Sequence, residues 1–227
     1  MTVQDNSLHP RLEGAARKLG IELSAEQSSA LIRYLEQLQK WNKTYNLTAL
    51  RDTDKMLVQH LFDSMAVISP LKLHLETMGA IAKGQQLIDV GSGGGLPGVV
   101  MAILMPDHHV HCVDAVDKKM AFVRQVSKNL KCPNLHAHHA RIEEMPLFNA
   151  AIVISRAFAS LNDFATWAGR HVARNGTLVA MKGRIPEDEI QNLHENTAWK
   201  VTAIEPLYVP ELDAQRCLIW MSRKEIQ

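Results

Sequence analysis

With 227 residues, 46% of them apolar and 22% charged, the chain is long enough for one substantial α/β core with a small appendage. No apolar run reaches the roughly 18 residues that span a bilayer, and no apolar signal core follows Met1. Three cysteines without a C-x-x-C pair fit reduced cytoplasmic thiols better than a disulfide framework or zinc site, and 25 basic against 24 acidic residues exclude nucleic-acid binding by bulk charge.

The first third reads as helices. Ser24 and Gln27 have the spacing of a capping box, in which each side chain satisfies the other residue's free backbone N–H. Leu31, Tyr34, Leu35, Leu38, Trp41 and Tyr45 then recur as one buried helical stripe. A second helix is predicted to start near Thr53, carry Met56, Leu57, Leu61, Met65 and Ile68, and stop at Pro70. From Gly84 onward short β-rich runs alternate with helical stretches. Strands are predicted at 86–90, 110–114, 135–137, 151–155, 177–181, 199–205 and 217–221, with helices starting near Pro97, Asp117, Ser160 and Pro186. Lys131-Cys132-Pro133 and Asn175-Gly176 read as helix ends. The alternation implies a parallel sheet covered on both faces. The last two strands have no helical pattern between them and are expected to form an antiparallel hairpin at one edge. The expected division is a helical extension over 1–83 and an α/β domain over 84–227.

The strongest local signal runs from Leu87 through Asp89, Gly91, Gly93 and Gly95 to Leu96-Pro97-Gly98. It passes from a buried strand through glycines, which permit positive φ and close ligand approach, into a helix. The dinucleotide fingerprint G-x-G-x-x-G needs glycine where Leu96 stands, which argues against a nicotinamide enzyme. The pattern that fits is D-x-G-x-G-x-G, which resembles the S-adenosylmethionine (SAM) loop of Rossmann-like methyltransferases. Asp114 ends the second strand about twenty residues later, where an acid accepts from ribose hydroxyls. Glu143, in Arg141-Ile142-Glu143-Glu144 after the third strand, is placed to read an adenine edge.

After the fourth strand stands Ser155-Arg156-Ala157-Phe158, not the Pro-Pro-aromatic motif of exocyclic amine methylation. Cys112 and Cys217 fall within strands and Cys132 at a helix end, so no thiolate is placed to attack a pyrimidine carbon. A nucleophile that already owns a lone pair, such as a ring nitrogen, remains. Two histidine pairs, His109 with His111 and His136 with His138, lack a third ligand, so no metal site is expected. The basic residues from Lys118 to Lys131 read as a solvated helix face. Lys182 and Arg184 follow the fifth strand, where they can meet RNA phosphates.

Trp41-Asn42-Lys43-Thr44-Tyr45-Asn46-Leu47-Thr48, His60-Leu61-Phe62-Asp63-Ser64, Gly95-Leu96-Pro97-Gly98, Ser155-Arg156-Ala157 and Met181-Lys182-Gly183 together resemble the RsmG (GidB) family, over nearly the whole chain. The resemblance implies a cytoplasmic bacterial enzyme that transfers the SAM methyl group to N7 of guanine 527 in 16S rRNA. The partner is 16S rRNA, either as free RNA or within the small ribosomal subunit or an assembly intermediate, the small net charge favouring the particle, and the enzyme is expected to be a monomer. It implies a mostly parallel seven-stranded sheet with an antiparallel edge hairpin and helices on both faces. It also implies cofactor contacts at Gly91, Leu96, Ile142, Glu143 and Arg156, to which the residues' own pattern adds Asp89, Gly93 and Asp114. None of the five family positions departs from the pattern. Guanine N7 carries no proton at neutral pH, so no catalytic acid or base is expected. His60 and Asp63 are expected to dock the helical extension.

Overall fold

The computed structural model describes residues 5–79 and 84–225. Helix α1 spans Asp5–Lys18, and α2 spans Ala25–Tyr45 behind the expected capping box, with Ser24 accepting from the Gln27 backbone. Along the stripe of α2, Leu31, Tyr34, Leu35 and Leu38 are buried, whereas Tyr45 at its end is exposed.

The second predicted helix is segmented. α3 (Thr53–Met56) runs into a π-helical stretch, Leu57–Phe62, and then α4 (Asp63–Met65). Pro70 does not stop the chain as expected; it is the third residue of α5 (Ile68–Thr77). In a first turn the missing proline N–H has no partner to lose, so the helix passes through.

The α/β part contains β1 (Gln86–Val90), α6 (Gly98–Leu104), β2 (His109–Asp114), α7 (Asp117–Leu130), β3 (Leu135–His139) and β4 (Ala150–Ser155). It continues with α8 (Leu161–Ala168), β5 (Val172–Lys182), α9 (Glu187–Asn196), β6 (Trp199–Pro206) and β7 (Cys217–Arg223). The seven strands form one sheet in the order β3-β2-β1-β4-β5-β7-β6. β1 to β5 pair in parallel, and β7 is antiparallel to both β5 and β6, giving the expected edge hairpin. Asn175-Gly176 is not a helix end: it lies inside β5, where the register against β4 shifts between Ala150 and Ile152. A Cβ on Gly176 would stand 2.6 Å from the Ala150 carbonyl oxygen, so close backbone approach, not a cap, requires glycine there.

Alternate residues of β1 serve two cores. Leu87 joins a cluster shared by α6, α7 and the N-terminal helices, while Ile88 and Val90 join a second under α8. Leu12, Leu31 and Leu38 of the extension sit in the same cluster as Met101 and Val123, so the extension is packed on the sheet's helices through apolar surface. The expected boundary at 83/84 adjoins residues 80–83, which lie outside the described residues. Among the described residues no helix is long and apolar enough to cross a membrane.

Candidate active site

The strand order reverses between β1 and β4, and crevices at the carboxyl ends of such strands hold ligands in open α/β sheets. The glycine loop occupies this position. Gly91, Gly93 and Gly95 have φ of 69°, 58° and 90°, a region costly for any residue with a Cβ. Nothing lies within 4 Å of a Cβ built on Gly91 or Gly93, so the loop leaves open space beside its backbone there. Gly95 is different: a Cβ would meet Val99 Cγ2 at 2.4 Å, so this glycine is needed for packing.

Three side chains fix the loop. The Gly93 N–H donates to Asp114 Oδ2 at 3.0 Å, and Val116 N–H to Asp114 Oδ1 at 2.9 Å. Asp114 thus binds the loop directly from the end of β2, with Lys119 Nζ at 3.4 Å. Asp89 lies beneath the loop, fully buried; its Oδ2 accepts from Gly98 N–H at 2.8 Å and its Oδ1 has no hydrogen-bond partner among the described residues. Burial pushes its carboxyl up to about 7, against the Gly98 hydrogen bond and the charge of Arg156, with Asp114 adding a smaller push upward. The third support comes from the extension: Tyr34 Oη donates to the Gly94 carbonyl at 2.8 Å, 60 residues away in sequence. Leu38 packs where a Gly94 Cβ would sit.

Leu96 is buried at the end of the loop. Ile142 and Glu143 lie in a 3₁₀ turn, Ile142–Glu144, just past β3. That segment is tied to Asp114 by Ala140 N–H donating to the Asp114 carbonyl at 3.3 Å. Ile142 is buried, and its carbonyl accepts from His171 Nε2 at 2.8 Å. The half-exposed Glu143 side chain stands 3.9 Å from Arg141.

Beside the carboxyl ends of β4 and β5 is a cavity of about 420 Å³, walled by Thr48–Leu50, Gln59, His60, Asp63, Arg156 and Met181–Gly183, with Arg216 at one side. The extension and the sheet make it together. Thr48 Oγ1 and His60 Nε2 are 2.7 Å apart, and Asn42 ties down the intervening turn through Thr48 N–H and the Leu50 carbonyl. Burial, then the charge of Arg156, pushes His60 down to about 4, so it is a neutral hydrogen-bonding residue near neutral pH. Arg156 Nη1 donates to Asp63 Oδ2 at 3.3 Å and to the Gln59 carbonyl at 3.2 Å. Asp63 also accepts from Arg216 Nε at 2.8 Å. Arg156 is therefore anchored to the extension, and Arg216, which no local motif marks, joins it across 153 residues.

Lys182 and Arg184 differ. Lys182 Nζ is paired with Glu189 at 2.8 Å, whereas Arg184 is exposed. The histidine pairs do face each other on β2 and β3: His111 Nδ1 lies 2.9 Å from His138 Nε2, and His109 Nδ1 lies 3.5 Å from His136 Nε2. Burial and these neighbours push His111 down to about 3. Among the described residues no group of three or more His, Cys, Asp or Glu is arranged to hold a metal ion. Burial raises the Cys112 thiol well above its ordinary range, the opposite of what a nucleophile needs.

Residues 27–219 match the family GidB, described as rRNA small subunit methyltransferase G. The chain is 59% identical over 215 residues to the ribosomal RNA small subunit methyltransferase G of Bordetella petrii, a match covering 95% of this chain and 83% of that one. It is 57% identical to the protein of the same name from Bordetella avium, over 98% of this chain and 96% of that one. A SAM dependent methyltransferase from Aquifex aeolicus superimposes with a TM-score of 0.52 at 15% identity, covering 70% of this chain and 92% of that one. The ribosomal protein L11 methylase of Lactobacillus delbrueckii subsp. bulgaricus does so at 0.51 and 13%, covering 69% and 79%. At such identities these structures show a common Rossmann-like fold.

Proposed function

The chain belongs to the GidB family of small-subunit ribosomal RNA methyltransferases, and on that premise we propose that it methylates N7 of a guanine in 16S rRNA, guanine 527 by family resemblance. The methyl donor is SAM. The substrate in this reading is the small ribosomal subunit or an assembly intermediate, and the enzyme acts as a cytoplasmic monomer. Its extension, 1–83, helps wall the base cavity, and 84–227 form the methyltransferase domain.

One observation carries the reading: open positive-φ backbone at Gly91 and Gly93 adjoins a carboxylate, Asp114, that both braces the loop and ends β2. These residues fit SAM. A Cβ at either glycine would fill the space beside the backbone, and Asp114, already accepting from Gly93, Val116 and Lys119, has one lone pair left for a ribose hydroxyl. Ile142 offers an apolar surface and Glu143 an acceptor for the adenine. Leu96 and Arg156 take the side toward the amino-acid tail. Asp89 acts from below, holding the loop into α6 through Gly98.

SAM, when bound, supplies an electrophilic methyl group on a sulfonium. Guanine N7 offers an in-plane lone pair and no proton, so no side chain has to remove one. The chain's task is to orient the base and exclude water. The histidine in the cavity wall fits this, because His60 is neutral and committed to Thr48. Arg184 is free to meet an RNA phosphate, while Lys182 can do so only by exchanging Glu189. Transfer of labelled methyl from SAM to 30S particles, naked 16S rRNA and a small-molecule panel tests the function. Borohydride–aniline scission, which cleaves at 7-methylguanosine, locates the product. Label in the particle without scission at a single guanine refutes N7; label only in small molecules refutes the whole reading.

A further inference from the structure

Arg216 stands where the base cavity opens outward. The cavity of about 420 Å³ and a wider groove of about 790 Å³ meet at Arg216, Lys182 and Gly183. Arg216 Nε donates to Asp63, and Nη1 donates to the Gln215 carbonyl, each at 2.8 Å. Nη2 has no hydrogen-bond partner among the described residues, and the side chain is 25% exposed. Asp63, 4% exposed, is a single carboxylate shared by two guanidiniums, while Lys182 is matched by Glu189. One positive charge is therefore left over in the cavity wall. Arg156 gives Nη1 to both Asp63 and the Gln59 carbonyl and lines the cavity alone, whereas Arg216 lines cavity and groove, so the guanidinium that a strand in the groove meets is that of Arg216. The groove is also lined by the exposed Arg184 and by Glu187 and Asp188.

We propose that Arg216 holds a phosphate of the RNA strand that delivers the target base to the cavity, with Asp63 fixing the plane of its guanidinium. The proposal rests on the reading of the protein as an rRNA methyltransferase. A planar guanidinium held at both Nε and Nη1 presents its remaining N–H groups in a fixed direction, which suits a phosphate oxygen. Such a contact sets the register of the strand and carries no base information. Arg216 is thus a substrate-binding residue, and Asp63 a positioning residue acting through it.

The test compares wild type, Arg216→Gln and Arg216→Lys in methylation of 30S particles between about 50 and 200 mM salt, with SAM affinity measured by calorimetry. For Arg216→Gln, KM for the particle rises about tenfold and kcat changes little, as for loss of one charged hydrogen bond. The slope of log KM against log salt falls by about 0.7–0.9, as expected for one lost phosphate contact. SAM affinity stays at the wild-type value, and Arg216→Lys recovers the slope. An unchanged slope overturns the proposal, as does a loss of SAM affinity in its place, which would assign the anion to the cofactor's carboxylate. Should the variants fail to fold, phenylglyoxal modification of the wild-type protein decides the matter. Arg216 is protected by 30S particles and not by SAM; equal modification with and without particles overturns the contact. Wild-type protein inert on 30S particles sinks the functional reading itself, a result distinct from an active enzyme with an unaltered slope.

Discussion

Replacing Asp89 with asparagine isolates the cost of a carboxylate buried under the glycine loop. Asp89 is inaccessible, and among the described residues only its Oδ2 is hydrogen-bonded, to Gly98 N–H at 2.8 Å. Burial raises its pKa from 3.8 to about 7. Three units at about 1.4 kcal/mol each give on the order of 4 kcal/mol between the two protonation states. Between about pH 4 and 7 the folded protein keeps a proton that the unfolded chain has released, so this group's contribution to stability falls as pH rises through that window. Above about 7 the loss is complete and constant. His60 and His111, pushed down to about 4 and about 3, have the opposite sign: each contributes stability present above the unfolded histidine value and lost as pH falls. Both histidines are present in wild type and in Asp89→Asn, so they cancel in the comparison. Urea unfolding of the two proteins from pH 4.5 to 8 reads the difference directly. The variant gains on wild type as pH rises, by up to roughly 4 kcal/mol, and the gain levels off near neutrality. A difference independent of pH refutes the argument, since it would mean that Asp89 ionises in the fold as easily as in the open chain.

Tyr34→Phe removes the only side-chain donor to the Gly94 carbonyl among the described residues; we expect a stability loss of about 1–2 kcal/mol by thermal unfolding and several-fold weaker SAM binding. Unaltered SAM affinity would show that the extension does not hold the loop. Gly95→Ala combines φ of 90° with a Cβ 2.4 Å from Val99 Cγ2; it should cost about 1–3 kcal/mol and abolish calorimetric SAM binding, and near-wild-type binding would contradict the need for glycine there. Arg156→Ala leaves Asp63 paired with Arg216, so the fold should survive while SAM affinity drops about tenfold, as for a charge-assisted hydrogen bond. Unchanged affinity counts against Arg156 as a cofactor residue.

Features decided within a few residues of chain were legible in the sequence. The Ser24–Gln27 box, the strand–glycine–helix passage from Leu87 to Gly98 and the helix end at Lys131 are local backbone problems with few solutions, and each stands where the pattern put it. The seven strands and the antiparallel pair at the edge follow from the same alternation of signals. Pro70 and Gly176 each have two local meanings, helix stop or first turn for the proline and helix end or close backbone approach for the glycine. Only the position of Pro70 in the first turn of α5, and the approach of the Ala150 carbonyl to Gly176, chose between them.

For the site, the residues bordering the glycine loop were visible one by one, but not what each one binds. That Asp114 braces Gly93, that Tyr34 reaches Gly94, and that Asp63 joins Arg156 to Arg216 depend on segments 21, 60 and 153 residues apart. Sequence alone determined which backbone could turn tightly and where strands would end, because those limits act between neighbours. Tertiary packing decided which charges meet, because an ion pair between distant segments exists only once the apolar faces of the extension and the sheet's helices have brought them together.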